Sequence, residues 1–203
     1  MTFVALRPPV RELFFAPLLV SMEPGEIEKI QFAYQCSKYG HAKQVRSHGG
    51  RYFDHPKSAA WIYISELAGR DPRIIIDLLL HDLQEDQYLL SPHRASLNFG
   101  PAIALDMHVL TKLPKGKETT EQYLRRIIAQ GPWAMVSKLI DRLHNLRELA
   151  ACPAEKIRAQ IEETRMYHLR LLPEALRKHK KHWVILTNKI VVLIEEALAQ
   201  HAA

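Results

Sequence analysis

The sequence predicts an all-α fold, an irregular helical bundle in a single domain. Apolar residues recur at helical spacing along most of the 203 residues, and no segment shows the period-two alternation of a half-buried strand. Glycine is scarce, with 8 residues, which argues against a loop-rich or all-β chain. Hydrophobic residues make up 47% of the chain and charged residues 25%, enough apolar surface for a packed core on an ordinary domain. No internal repeat or low-complexity segment interrupts the pattern.

The expected division is an N-terminal extension over residues 1–22 and the folded domain over 23–203. Arg7, Pro8, Pro9, Arg11 and Glu12 break the apolar character of the extension, so a secretory signal is not expected there. It reads as an arm packed on the domain or a poorly ordered extension. Pro24 then opens a helix over Glu26 to Tyr39, and Gly40 closes it. His41 to Asp54 breaks all periodicity and is rich in Lys43, Arg46, His48 and Arg51, the character of a functional loop. His55-Pro56 starts the next helix, which runs toward Gly69, and Asp71-Pro72 caps a central helix over Arg73 to Glu85.

A connector over Leu89 to Asn98 holds a helix start at Ser91-Pro92, and Phe99-Gly100-Pro101 opens a helix over Ala102 to Leu110. Thr111 to Lys117 is a basic loop. Thr119 to Ala129 and Trp133 to Leu149 are helical, divided by Gly131-Pro132. A long helix is expected from Cys152-Pro153 to about Leu172, a shorter one restarting at Pro173, and an amphipathic helix over His182 to Gln200.

The formal charge of +6 suits an anionic ligand such as a nucleotide. A helical nucleic-acid reader would carry a Lys/Arg run with interleaved aromatics on one face, whereas the cations here gather in loops. Cys36 and Cys152 have no metal-type spacing and form no disulfide framework, which points to a reducing cytoplasm. No run approaches the ~18 apolar residues of a membrane span, so no membrane partner is expected. The sequence carries no signal of oligomeric state.

The chemistry concentrates where the aliphatic run Ile74 to Leu80 ends in His81-Asp82, followed by Glu85-Asp86. A His-Asp pair at the end of a buried apolar helix is costly unless something neutralises it, and a divalent cation does so with imidazole and carboxylate as ligands. His55 at a helix start and Asp141 inside a helix offer further donors. The set of two imidazoles and two carboxylates suits Mn²⁺, Fe²⁺ or Zn²⁺. Acidic residues at a helix C-terminus are disfavoured by the dipole, so Glu85 and Asp86 are better explained as working groups. Arg46 is a planar cation able to stack on a purine, Asn145 can pair with a base or ribose edge, and Lys112 and Arg142 carry charge suited to phosphates.

These stretches resemble the HD-domain hydrolase segment of the RelA/SpoT family. Arg46-Ser47-His48-Gly49-Gly50-Arg51-Tyr52-Phe53-Asp54-His55-Pro56 is similar to its "R-x-S-G-x-x-Y-x-x-H-P" segment, and His81-Asp82-Leu83-Gln84-Glu85-Asp86 fits "H-D-x-x-E-D". Val109 to Leu113 resembles "V-T-K-L", and Asp141 to Arg147 fits "D-R-L-H-N-M-R". Glu163-Thr164 and Tyr167 resemble a later segment, and the matches fall in the family's order from about Phe32 to Leu172. The resemblance implies an HD-type bundle and a stand-alone small alarmone hydrolase. The implied reaction is Mn²⁺-dependent removal of the 3′-pyrophosphate of (p)ppGpp, giving GDP or GTP and pyrophosphate.

On that resemblance, the metal ligands are His55, His81, Asp82 and Asp141, with one cation per chain. The catalytic pair is Glu85 and Asp86, and the nucleotide contacts are Arg46, Ser47, Tyr52, Lys112, Arg142 and Asn145. His48, Ser47, Gly50-Arg51 and Glu148 depart from the family pattern where the family touches the purine base. The alternatives are therefore hydrolysis of (p)ppApp or NADPH, or another HD-type nucleotide phosphohydrolase.

Overall fold

The computed structural model describes residues 9–46, 49–83, 90–114 and 116–201. Among them every regular element is helical, as the absence of strand alternation requires; Val45 and Arg51 form an isolated antiparallel bridge within a loop. No helix is long and apolar enough to cross a membrane among these residues. The chain falls into two compact units, Leu6–Thr111 and Lys112–Ala203.

In the first unit, α1 (Arg11–Leu19) lies inside the expected extension. It forms because Phe14, Phe15 and Leu18 share a face that can be buried. Phe14 and Phe15 sit 5.4 and 5.5 Å from the Tyr34 ring, and Phe14 also meets Trp61 at 6.2 Å. Burying side chains of this size is worth about 1.5–3 kcal/mol each, which anchors a helix that Pro17 would otherwise weaken. Tyr34 lies on α2 (Pro24–Gly40), which opens with a reciprocal capping box between Glu23 and Glu26.

α3 (Asp54–Trp61) continues as a π-turn over Ile62–Glu66. The core of the unit is α4 (Pro72–Leu80), whose Ile74, Ile75, Leu78, Leu79 and Leu80 are fully buried and which packs against both α2 and α3. The Asp71 side chain accepts from Arg73 N–H at 2.9 Å and sets its start. The helix ends at Leu80, His81 and Asp82 occupy a turn, Leu83 is helical again, and the expected end at Glu85 lies outside the described residues. The His81 imidazole turns back onto Leu78 O, the carbonyl that a continuing helix would present to Asp82 N–H.

α5 (Pro92–Phe99), capped by Ser91, and α6 (Pro101–Leu110) pack on each other, with Gly100 at φ +92° between them. That left-handed φ is costly for any residue with a Cβ. A buried acidic pair links α4 to α6. Arg73 donates to both Asp106 oxygens, at 2.5 and 2.9 Å, and Asp77 beside them is 0% exposed. Burial first, then the neighbouring Asp106, pushes the Asp77 carboxyl well above the usual carboxylate range.

In the second unit, α7 (Thr120–Gln130) starts with a Thr119–Gln122 capping box and packs on α8 (Pro132–Arg147). α8 is its central element, with Met135, Val136, Leu139, Ile140 and Leu143 fully buried. A short 3₁₀ turn, Leu149–Ala151, leads to α9 (Ala154–Glu163), a π-turn over Thr164–His168, and α10 (Leu169–Leu176). The expected restart at Pro173 is not seen: Pro173 lies inside α10, and the chain leaves the helix after Leu176. α11 (Lys181–Ala199) packs on α8 and α10 through Trp183, Ile190, Ile194 and Leu198.

Candidate metal centre

Three of the expected ligands meet in the first unit. α3 presents His55 from its first turn, because Asp54 and His55 enter the helix directly from the loop. The end of α4 presents His81 and Asp82. The Nε2 atoms of His55 and His81 are 3.2 Å apart. Asp82 brings Oδ1 to 3.2 Å from His81 Nε2 and Oδ2 to 3.5 Å from His55 Nε2. His55 is 2% exposed and His81 5%. The three donor atoms form a cluster that could hold a metal ion.

The hydrogen bonding fixes the His81 tautomer. Leu78 O, 2.9 Å from Nδ1, can only accept, so Nδ1 carries the proton and Nε2 turns a lone pair toward His55 and Asp82. Metal-bound histidines are oriented by this same arrangement, a ring N–H held by a backbone carbonyl. His55 Nε2, 3.2 Å away, meets that lone pair either with its own proton or across a shared cation. A carboxylate on the same point favours the cation, and the mixed N/O donor set suits a divalent metal.

The loop before α3 braces the cluster. Tyr52 donates its hydroxyl to Asp82 Oδ2 at 3.0 Å. The Tyr52 ring stacks on His41 at 4.7 Å and 22°, and the Arg46 guanidinium lies 5.4 Å from the same ring. The loop is tied by Arg46 N–H to Gly50 O and Gly49 N–H to Arg46 O, both 2.8 Å. Gly49 takes φ +91°, which explains a glycine there. Arg51 is exposed and pairs with Asp54 at 2.9 Å. Ser47, Glu85 and Asp86 lie outside the described residues.

The other expected residues belong to the second unit. Asp141, 5% exposed, accepts Lys138 Nζ on Oδ2 and Asn145 Nδ2 on Oδ1, each at 2.7 Å. All three side chains project from one face of α8. Arg142 is 3% exposed, and its guanidinium bonds Gln160, Glu163 and His168, bracing α8 against α9 and the following π-turn. Burial and the adjacent Arg142 hold His168 well below the ordinary histidine range. Lys112 and Lys138 place their ammonium groups 5.6 and 5.2 Å from the Tyr123 ring.

Sequence reasoning missed Lys138. Its spacing of three residues before Asp141 was the available signal, but a lysine in an apolar run reads as a solvated charge. It also missed the Tyr52–Asp82 bond, which joins residues 30 apart in sequence.

No family model matches the chain. Among curated proteins, a Streptomyces antibioticus GTP pyrophosphokinase is 34% identical over 150 residues, covering 70% of this chain and 17% of that protein. The Aquifex aeolicus guanosine-3′,5′-bis(diphosphate) 3′-pyrophosphohydrolase is 35% identical over 151 residues, 72% of this chain and 21% of that one. The Escherichia coli bifunctional (p)ppGpp synthase/hydrolase SpoT is 31% identical over 147 residues, 68% and 20%. The chain thus spans about a fifth of the length of these relatives.

One solved structure carries the description "A metazoan ortholog of SpoT hydrolyzes ppGpp and plays a role in starvation responses". It matches with a TM-score of 0.68 at 20% identity, over 86% of this chain and 96% of that one, and shows the shared fold. By sequence relationship and by fold, the chain belongs to the RelA/SpoT-type HD-domain family.

Proposed function

We propose that the protein is a metal-dependent hydrolase of guanosine alarmones, removing the 3′-pyrophosphate of (p)ppGpp to give GDP or GTP and pyrophosphate. The observation that carries this reading is the His55–His81–Asp82 cluster, with donor atoms 3.2 to 3.5 Å apart, in a chain 35% identical over 151 residues to a protein named for that activity. His55, His81 and Asp82 are the proposed ligands, Asp141 the fourth on its motif, and Mn²⁺ the proposed cation. When bound, the cation supplies Lewis-acid polarisation of a phosphoryl oxygen and a lowered pKa for water.

The chain's own residues do the rest. Leu78 O fixes the His81 tautomer, and the Tyr52 hydroxyl fixes Asp82. Glu85 and Asp86 are proposed to take the proton from the attacking water and return one to the departing 3′ oxygen, as a base and acid pair does. The bond that breaks joins that oxygen to the inner phosphorus. Arg46, already beside an aromatic ring in Tyr52, is proposed to stack on the purine, with Ser47 in the same loop. Asn145 is proposed for a base or ribose edge and Lys112 for phosphate charge.

A nucleotide panel with Mn²⁺ tests the proposal: ppGpp, pppGpp, ppApp, pppApp and NADPH, with products read by mass. GDP and GTP with pyrophosphate are the expected products. Turnover of the adenine alarmones or NADPH with (p)ppGpp untouched refutes the guanosine assignment.

A further inference from the structure

We infer that Lys138 is a positioning residue that holds the Asp141 carboxylate in the orientation a cation requires. The inference rests on the proposed role of Asp141 as a metal ligand. On α8, Lys138, Asp141 and Asn145 stand three and four residues apart, so their side chains share one face. The Lys138 ammonium sits 2.7 Å from Oδ2 and the Asn145 amide 2.7 Å from Oδ1. A carboxylate held at both oxygens cannot swing about its terminal torsion, which is otherwise broad. The two donors hold one oxygen each of a carboxylate that offers roughly four acceptor sites.

Burial makes Lys138 a device rather than a surface charge. Its side chain is 8% exposed and that of Asp141 7%, and the stem passes the Tyr123 ring with Nζ 5.2 Å from the centroid. Arg142, one residue beyond Asp141, is engaged with Gln160, Glu163 and His168, so its guanidinium is directed away to other partners. A buried lysine beside a metal-ligating acid would only repel the cation unless its placement of that acid outweighed the repulsion. The sign of the effect on metal affinity therefore decides the matter.

The test is Mn²⁺ binding to the metal-stripped full chain, read by the electron paramagnetic resonance of free Mn²⁺, with thermal unfolding of each variant alongside. Lys138→Met keeps the stem and removes the donor; it is expected to bind Mn²⁺ about 10–100-fold more weakly, the usual loss when an outer partner of a ligand is removed. Lys138→Arg, which keeps a charged donor, is expected to recover most of that loss. Should Lys138→Met fail to fold, Lys138→Gln carries the same expectation at about 10-fold. Affinity equal to or tighter than that of the unaltered chain, in whichever of these two variants folds, overturns the inference. Asp141→Ala separates this failure from that of the underlying reading: full Mn²⁺ affinity there removes Asp141 as a ligand, and the role of Lys138 with it.

Discussion

The Nε2 atoms of His55 and His81 face each other at 3.2 Å, although the residues are 26 apart in sequence and arrive from different helices. With Leu78 O holding the proton on His81 Nδ1, this contact is favourable with either the His55 Nε2 proton or a cation between the rings. Asp82 supplies the third donor. Asp82→Ala is therefore expected to weaken Mn²⁺ binding by more than about 100-fold, beyond the range for loss of an outer partner, and to abolish turnover. Equilibrium dialysis with metal analysis checks the first, and pyrophosphate release the second. Full activity in this variant refutes the metal assignment.

Tyr52 gives a graded test of the same centre. Its hydroxyl donates to Asp82 Oδ2 at 3.0 Å, while its ring is held by His41. Tyr52→Phe keeps the ring and deletes one donor to a ligand. The expected result is a Mn²⁺ affinity about 10-fold weaker, with an unfolding midpoint close to that of the unaltered chain. A purine-stacking role alone would instead leave both Mn²⁺ binding and the KM for nucleotide nearly unchanged, because the ring is kept.

Glu85 and Asp86 can be separated from the ligands by isosteric change. Glu85→Gln with Asp86→Asn removes both proton carriers and leaves His55, His81 and Asp82 in place. Mn²⁺ binding is expected to persist while kcat falls by about 10²–10⁴, the range for general acid–base catalysis. Retained turnover moves the proton transfers elsewhere.

The parts of the fold that were legible in sequence are those set by local signals. Pro24, Asp71-Pro72, Ser91-Pro92 and Thr119 each mark a helix start because capping is decided within four residues. The π-turns at Ile62–Glu66 and Thr164–His168 left no such mark, since one extra residue in a turn changes the hydrogen bonding without changing composition. α1 was hidden because its apolar face is short and Pro17 interrupts it; its partners Tyr34 and Trp61 are distant in sequence. At the site, His55, His81 and Asp82 were readable because their motifs are contiguous. The contact of Tyr52 with Asp82 depends on tertiary structure and had no local signature. Lys138 drew no attention in the sequence because a lysine is mostly exposed, and only its burial beside Asp141 singles it out.

Asp77 predicts an unusual pH response. It is 0% exposed on α4, beside an Asp106 carboxylate that Arg73 already chelates, and Asp71 lies at the start of the same helix. Two carboxylates against one guanidinium cannot both be charged cheaply in a dry interior, and burial pushes Asp77 toward its neutral form. The unfolded chain releases this proton above about pH 3.9, the free aspartate value, while the folded chain keeps it. Between that pH and the raised folded value the native state binds more protons, so this group makes stability fall as pH rises. Below pH 3.9 both states are protonated and the effect vanishes. Asp77→Asn keeps a neutral donor toward Asp106 and removes the titration. Its unfolding midpoint relative to the unaltered chain is expected to rise from pH 5 to pH 8 by a few degrees, at about 2–4 °C per kcal/mol for a chain of this size. Thermal scans of both proteins across that range check it. A constant or shrinking gap shows Asp77 ionised in the folded state.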